Sequence, residues 1–341
     1  MKTTFTKRFL VSVGLSAALV SCESIPKSSE TDSTLPSVSK TTTSKSEIRG
    51  NKKNAQDVIP GGGKKGKIDT SNANVFTNIA YANVSESQKL DLYIPKGNGP
   101  FPVIIYIHGG GFMFGSKDGG DSNAIIENGI KRGYAIVSVE YRLSKEATFP
   151  AAIDDVQQAI LFVKKNASKY NLEANKMATW GGSAGGNLAA LAGTKGSAAA
   201  NTNVQAVVDW FGPIYFSTMD KQFADLGITP KIGRTDSKDS PESHYIGYTI
   251  GSKEAEPIVA EASPQSYISA NNPAFFIQHG TADSNIPITQ SEVFAQKLTE
   301  TLGKSHVTFE KLEGAKHGGA AFETKENLDK VFAFLDQYLK A

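Results

Sequence analysis

The chain is poor in cysteine and in excess charge of either sign. Cys22 is the only cysteine among 341 residues, so no disulfide can form within one chain. There are 36 Lys and Arg residues against 34 Asp and Glu residues, and no basic stripe stands out, so we do not expect a nucleic acid as partner. The sequence also lacks metal-ligand spacings such as His-Glu-x-x-His, and we predict no metal site.

The N-terminus carries a targeting pattern. Lys7 and Arg8 precede an apolar run over residues 9–20, which ends in small residues and is too short to span a bilayer comfortably. This pattern predicts a signal peptide over residues 1–21. Residues 19–22 read Leu-Val-Ser-Cys and resemble the lipobox of bacterial lipoproteins, which implies cleavage before Cys22 and lipid attachment to its sulfur. We therefore predict a lipid-anchored protein of the bacterial cell envelope; a plain signal peptide with a chance cysteine is the alternative.

Two regions follow the targeting segment. Residues 22–71 are rich in Ser, Thr and Lys and lack a periodic apolar pattern, which predicts a disordered tether. From residue 72 to residue 341, runs that are apolar at every position alternate with helical patterns, which predict helices over residues 150–170 and 289–302 among others. This alternation predicts one α/β domain, with a mostly parallel sheet and helices on both faces. Residues 211–269 are rich in Gly, Pro, Ser and aromatic residues, and we interpret them as an irregular cap insertion.

One glycine-rich stretch has the spacing of a catalytic turn. Residues 181–185 read Gly-Gly-Ser-Ala-Gly and match the G-x-S-x-G nucleophile elbow, in which a sharp turn from strand to helix exposes a serine hydroxyl. Residues 108–112 read His-Gly-Gly-Gly-Phe directly after an apolar run, and they match a loop whose backbone N–H groups bind an oxyanion. Taken alone, the first stretch could be a glycine-rich turn with an incidental serine, and the second could be a flexible turn.

An acid and a base follow later strands. Asp283 and His317 each come directly after a predicted strand, at the edge of the sheet where ligands bind in such folds. Ser183, Asp283 and His317 occur in the chain order of α/β-hydrolases. Asp209 also ends a strand on this edge and is the rival of Asp283. We interpret His279 as structural.

The motifs together resemble one branch of a large superfamily. They are HGGGF from residue 108, EYRL from 140, FPAAIDD from 149, GGSAGGN from 181, HGTAD from 279 and KHG from 316. This set is similar to the hormone-sensitive-lipase-like and acetylxylan/feruloyl-esterase-like branch of the α/β-hydrolases. The resemblance implies that His108 orients the oxyanion loop, and that Arg142 and Asp155 form a structural pair.

The mechanism of such a site assigns the remaining roles. Ser183 is expected to attack the acyl carbon, His317 to transfer the proton, and Asp283 to orient the imidazole. The expected oxyanion donors are the N–H groups of Gly110, Gly111 and Ala184. This chemistry needs no cofactor.

These features predict a serine carboxylesterase that hydrolyses a small or medium ester through an acyl-enzyme. The resemblance also suggests acetyl or feruloyl esters of polysaccharide as substrates. An amidase or peptidase would use the same three residues, and a catalytically silent binding lipoprotein could share the fold. The sequence does not indicate an oligomeric state.

Overall fold

The computed structural model describes residues 68–119, 122–197 and 199–341. The predicted signal peptide, the lipid attachment at Cys22 and nearly all of the predicted tether lie outside these ranges. The described chain forms an eight-stranded sheet. Its strands are β1 (Ala73–Ala80), β2 (Lys89–Pro95), β3 (Phe101–Ile107), β4 (Ala135–Val139), β5 (Leu172–Gly182), β6 (Ala206–Trp210), β7 (Ala274–Gly280) and β8 (Val307–Leu312).

The sheet is mostly parallel. Its strand order is β1-β2-β4-β3-β5-β6-β7-β8, and the pairs β1/β2 and β2/β4 are antiparallel whereas the other five pairs are parallel. The inner strands are buried on both faces, which explains why their sequences are apolar at consecutive positions. The carboxyl ends of the parallel strands therefore meet at one edge of the sheet.

Helices cover both faces of the sheet. They are α1 (Asn123–Lys131), α2 (Ala151–Lys165), α3 (Ala167–Tyr170), α4 (Ala184–Lys195), α5 (Met219–Leu226), α6 (Pro241–Ile246), α7 (Ala255–Ala262), α8 (Thr289–Leu302), α9 (Ala320–Glu323) and α10 (Lys325–Leu339). Apolar residues of α1 and α10 pack in the core on one face, and those of α2, α4 and α8 pack in the core on the other. The predicted α/β class is confirmed.

Two predictions about local structure differ from what the structure shows, and one strand was not predicted. Residues 211–269, interpreted as irregular, contain the helices α5, α6 and α7. These helices have only six to eight residues each, too few turns to give a clear helical periodicity. The helix predicted over residues 150–170 is divided at Asn166, and the edge strand β1 had no counterpart in the prediction. Within the described ranges, no helix is long and apolar enough to cross a membrane.

Candidate active site

Ser183 lies on a sharp turn between β5 and α4. Its φ of 57° and ψ of −126° place it in a strained region of backbone conformation. A Cβ atom on Gly181 would lie 2.2 Å from the carbonyl oxygen of Gly185, and one on Gly185 would lie 2.1 Å from that of Ile107. The two glycines of the motif are therefore needed because strand and helix approach each other too closely for side chains.

His317 joins Ser183 to Asp283. The imidazole Nε2 lies 2.9 Å from the Oγ of Ser183, and Nδ1 lies 2.7 Å from the Oδ2 of Asp283. A carboxylate can only accept hydrogen bonds, so Nδ1–H of the neutral ring donates to Asp283. Nε2 then has a free lone pair and accepts the hydrogen bond that the serine hydroxyl donates. The three side chains predicted from the sequence, each of which follows a different strand, thus lie together in the structure.

The carboxylate of Asp283 is held from both sides. Its Oδ1 accepts hydrogen bonds from the backbone N–H groups of Asn285, at 2.8 Å, and Ile286, at 3.0 Å. Its Oδ2 faces His317 and also lies 3.2 Å from the Nε2 of His279. Burial acts to raise the pKa of this carboxyl group, but the electrostatic attraction of His317 and the hydrogen bonds from both imidazoles outweigh it and lower the pKa below its usual value. Asp283 is therefore held ionised.

His279 contributes more to the site than the sequence indicated. Its Nδ1 lies 2.8 Å from the hydroxyl of Ser291, and its Nε2 lies 3.1 Å from the carbonyl oxygen of Ile286 and 3.2 Å from Asp283. Nε2–H thus points between two acceptors, and Nδ1 accepts from Ser291. The four-residue spacing between His279 and Asp283 was the available signal for this contact.

The glycine loop after β3 lies beside Ser183. Gly111 and Ala184, together with Ser183, line the same small pocket. The N–H groups of Gly110, Gly111 and Ala184 take no part in the hydrogen bonds found within the described ranges. Gly110 has a φ of +115°, and a Cβ atom there would lie 2.2 Å from the carbonyl oxygen of Phe114. No other residue could make this turn without moving the loop.

His108 contacts the loop rather than the triad. Its Nδ1 lies 2.8 Å from the carbonyl oxygen of Gly109, its Nε2 lies 3.2 Å from Glu140, and its ring stacks on Tyr141 at 4.3 Å between centroids. The hydroxyl of Tyr141 donates to the backbone oxygen of His108. These contacts hold the start of the loop in place.

The other candidates lie away from the triad hydrogen bonds. Asp209 is buried and accepts a hydrogen bond from the N–H of Gly212. Burial raises the pKa of Asp209 to about 6, and its carboxylate has no hydrogen bond to His317 in the described structure. Arg142 donates from its Nε and one of its terminal nitrogens to Asp155, at 2.8 and 2.7 Å. His244 and His306 are exposed.

Two clefts meet at Ser183. The larger is lined by residues that include Tyr106, Trp210, Phe211 and Phe322. The smaller is also lined by His317. Phe211, which the sequence did not single out, has a φ of 45° and packs on the His317 ring with 4.7 Å between centroids.

No group of three or more His, Cys, Asp or Glu side chains is arranged to hold a metal ion in the part of the chain that the structure describes.

Comparison with known proteins identifies the family. A family model described as BD-FAE matches residues 90–298, which is more than half of the chain. The chain belongs to the BD-FAE family. The match includes Ser183 and Asp283, whereas His317 follows it. The sheet and the solved relatives of this BD-FAE member give it an α/β-hydrolase fold, and the resemblance inferred from its motifs is confirmed.

Named relatives of this BD-FAE member are esterases. It is 29% identical over 250 residues to the probable carboxylic ester hydrolase LipM of Mycobacterium tuberculosis, covering 70% of this chain and 55% of LipM. It is 30% identical to the esterase LipC of the same organism, covering 68% of this chain and 57% of LipC. The chain therefore spans little more than half the length of these curated relatives.

Two solved structures are similar to this one. The structure described as a truncated form of a carbohydrate esterase from gut microbiota is 28% identical, with a TM-score of 0.68, and the match covers 81% of this chain and all of that one. A bifunctional GH43-CE protein of Bacteroides eggerthii is 29% identical, with a TM-score of 0.67, over 80% of this chain and 36% of that one.

Proposed function

We propose that this BD-FAE member is a serine carboxylesterase, which hydrolyses carboxylic esters through an acyl-enzyme. The observation that carries the proposal is the pair of contacts of His317, which lies 2.9 Å from the Ser183 hydroxyl and 2.7 Å from Asp283. The named esterase relatives support the same reaction class.

Acylation follows from the proton positions. As the Ser183 oxygen attacks the acyl carbon, its proton passes to Nε2 of His317, and Asp283 stabilises the imidazolium that forms. The substrate carbonyl oxygen becomes an oxyanion, and the N–H groups of Gly110, Gly111 and Ala184 are the proposed donors to it. The loss of one such donor typically costs about 10²–10³ in kcat.

The second half of the cycle uses the same groups. Collapse of the tetrahedral intermediate breaks the bond to the leaving alcohol, whose oxygen takes the proton from His317. Water then donates a proton to His317 as its oxygen attacks the acyl carbon of the acyl-enzyme. Collapse of this second intermediate breaks the bond to Ser183, whose oxygen takes the proton back from His317, and the carboxylic acid leaves. No step needs a group beyond this chain's own residues and water.

We infer that the substrates are small or medium esters, with acetyl or feruloyl esters of polysaccharide as the preferred candidates. The solved neighbour at 28% identity is described as a carbohydrate esterase, which supports this choice. The larger cleft beside Ser183 is lined by the aromatic side chains of Tyr106, Trp210, Phe211 and Phe322, which suits an aromatic acyl group or the apolar face of a sugar.

The test uses purified protein and p-nitrophenyl esters from acetate to palmitate. We expect kcat/KM to peak at short acyl chains and to fall at least 10³-fold in Ser183→Ala. Ser305→Ala, on the exposed turn before β8, is the matched control and should keep wild-type activity. Cleavage of p-nitroanilides in preference to esters would favour an amidase. A folded wild-type protein that cleaves neither would favour a binding role, and equal activity of wild type and Ser183→Ala would contradict the nucleophile.

We also propose that the protein is anchored to the bacterial cell envelope through lipid on Cys22. The lipobox-like residues 19–22 and the position of the sole cysteine support this. Several acyl chains, at about 0.8 kcal/mol per buried methylene, would hold the protein stably on a membrane. Mass spectrometry of the native membrane fraction should find a lipid-modified N-terminal Cys22; an unmodified Cys22 or cleavage at another residue would contradict the proposal.

A further inference from the structure

A buried glutamate that no other residue binds lines the smaller cleft. Glu242, on α6, is 4% exposed and lines the smaller cleft together with Ser183 and His317. In the described structure, no other residue makes a hydrogen bond or an ion pair with its carboxyl group, which interacts with its own backbone N–H. Burying a carboxyl group in this way is costly unless something in the pocket binds it.

The other buried carboxylates differ from Glu242. Four more acidic side chains are buried in the described ranges, and each accepts at least one hydrogen bond from another residue. These pairs are Asp91 with Lys117, Asp155 with Arg142, Asp209 with the N–H of Gly212, and Asp283 with the N–H groups of Asn285 and Ile286. One oxygen of Asp209 is also unpaired, but Glu242 is the one buried acid of the described ranges that accepts no hydrogen bond from another residue.

The pocket around Glu242 restricts what can bind there. Its other walls include the apolar side chains of Phe112, Ile232 and Ile286, and no Lys or Arg lines it. Burial raises the pKa of Glu242 to about 7, and the negative charge of Asp220 acts in the same direction. The carboxyl group is therefore present in both protonation states near neutral pH.

We propose that Glu242 forms a subsite for a hydroxyl group of the substrate, which makes the enzyme selective for esters that carry a hydroxyl close to the scissile bond. A hydroxyl group can donate to the carboxylate and accept from the carboxylic acid, so it pairs with Glu242 in either state. An ammonium group would pair with the ionised form alone, and an alkyl group would leave the carboxyl group unpaired. This inference rests on the proposed ester hydrolysis and narrows its substrates to partly acylated polyols or hydroxy acids.

The test compares ester pairs of equal size in wild type, Glu242→Met and Glu242→Gln. The first pair, p-nitrophenyl glycolate and propionate, places the hydroxyl in the acyl group, and the second, 2-hydroxyethyl and propyl acetate, places it in the alcohol. A third pair, choline acetate and 3,3-dimethylbutyl acetate, tests for a cation. Glu261→Gln, on the exposed face of α7, is the control. The preference in each pair is kcat/KM for the first ester divided by kcat/KM for the second. Comparing this preference between wild type and a variant cancels the intrinsic reactivity of the esters.

We expect the hydroxyl preference in at least one of the first two pairs to fall 10-fold or more in Glu242→Met. It should stay within about 3-fold of wild type in Glu242→Gln, which retains a donor and an acceptor. The responding pair identifies the end of the ester that occupies the pocket. Unchanged preferences in both pairs, or a change confined to the choline pair, would overturn the hydroxyl subsite. Hydrolysis of the plain esters by each variant shows that it is folded; no hydrolysis of any ester by wild type would instead refute the proposed function.

Discussion

The strongest test of the triad geometry is the substitution Asp283→Asn, because the two oxygens of this carboxylate have different partners. Oδ1 accepts from two backbone N–H groups, which cannot give up their protons. In the variant, the oxygen of the new amide must therefore take the Oδ1 position, and the NH₂ group must face the imidazoles. The Nδ1 of His317 then has to accept a hydrogen bond, so the ring carries its proton on Nε2. In that tautomer His317 cannot take the proton of Ser183.

The expected loss in kcat is about 10⁴-fold, the cost of the same exchange in serine proteases, which corresponds to about 5 kcal/mol of transition-state stabilisation. The assay is p-nitrophenyl acetate hydrolysis near pH 8, with the Ser183→Ala rate as background. Asp283→Ala is the control, because it removes the orienting group without imposing the wrong tautomer. Asp283→Asn should be no more active than Asp283→Ala, although it preserves the shape of the side chain. A folded Asp283→Asn protein that retains a tenth of wild-type kcat would refute the argument.

Two predictions concern stability. The folded protein keeps the proton of Glu242 up to about pH 7, whereas the unfolded chain releases it near 4.5, so ionisation destabilises the wild type as pH rises through this window. The free energy of unfolding of Glu242→Gln, measured by urea denaturation, should therefore rise by about 3 kcal/mol relative to that of wild type between pH 4.5 and pH 8. A difference between the two proteins that stays the same over this pH range would contradict the raised pKa. Lys117→Met removes the ammonium group that lies 2.9 Å from the buried Asp91. It should lower the free energy of unfolding by about 3–5 kcal/mol, because it leaves a buried charge unpaired. A second change, Asp91→Asn, should recover most of this loss. A urea midpoint equal to that of wild type would show that Asp91 does not depend on Lys117.

The sequence was sufficient for the features that short-range rules determine. The buried parallel strands are apolar at consecutive positions, and the helix over residues 289–302 was predicted with its observed ends. The elbow around Ser183 was recognisable because a close approach of strand and helix admits only glycine at Gly181 and Gly185. Asp283 and His317 could be selected because parallel strands bring their carboxyl ends to one edge.

Features that depend on distant contacts could not be predicted. Strand β1 is exposed at most positions, and its pairing with β2 rather than its own pattern makes it a strand. Glu242 has the sequence context of an ordinary acidic residue in the first turn of a short helix, and only the tertiary structure around that helix buries it. Phe211 reaches His317 because the chain turns with a positive φ directly after β6. A phenylalanine at this position does not predict such a turn.

The triad and the cap segment belong to different parts of the chain. Ser183, Asp283 and His317 follow strands of the sheet, whereas Pro213, Ile232, Pro241 and Glu242 of the small cleft all lie in the connection between β6 and β7. Substrate preference can therefore change through this connection while the reacting groups keep their positions. An exchange of residues 211–269 between two members of this family would transfer substrate selectivity. Protein engineers could therefore change the specificity through one continuous segment.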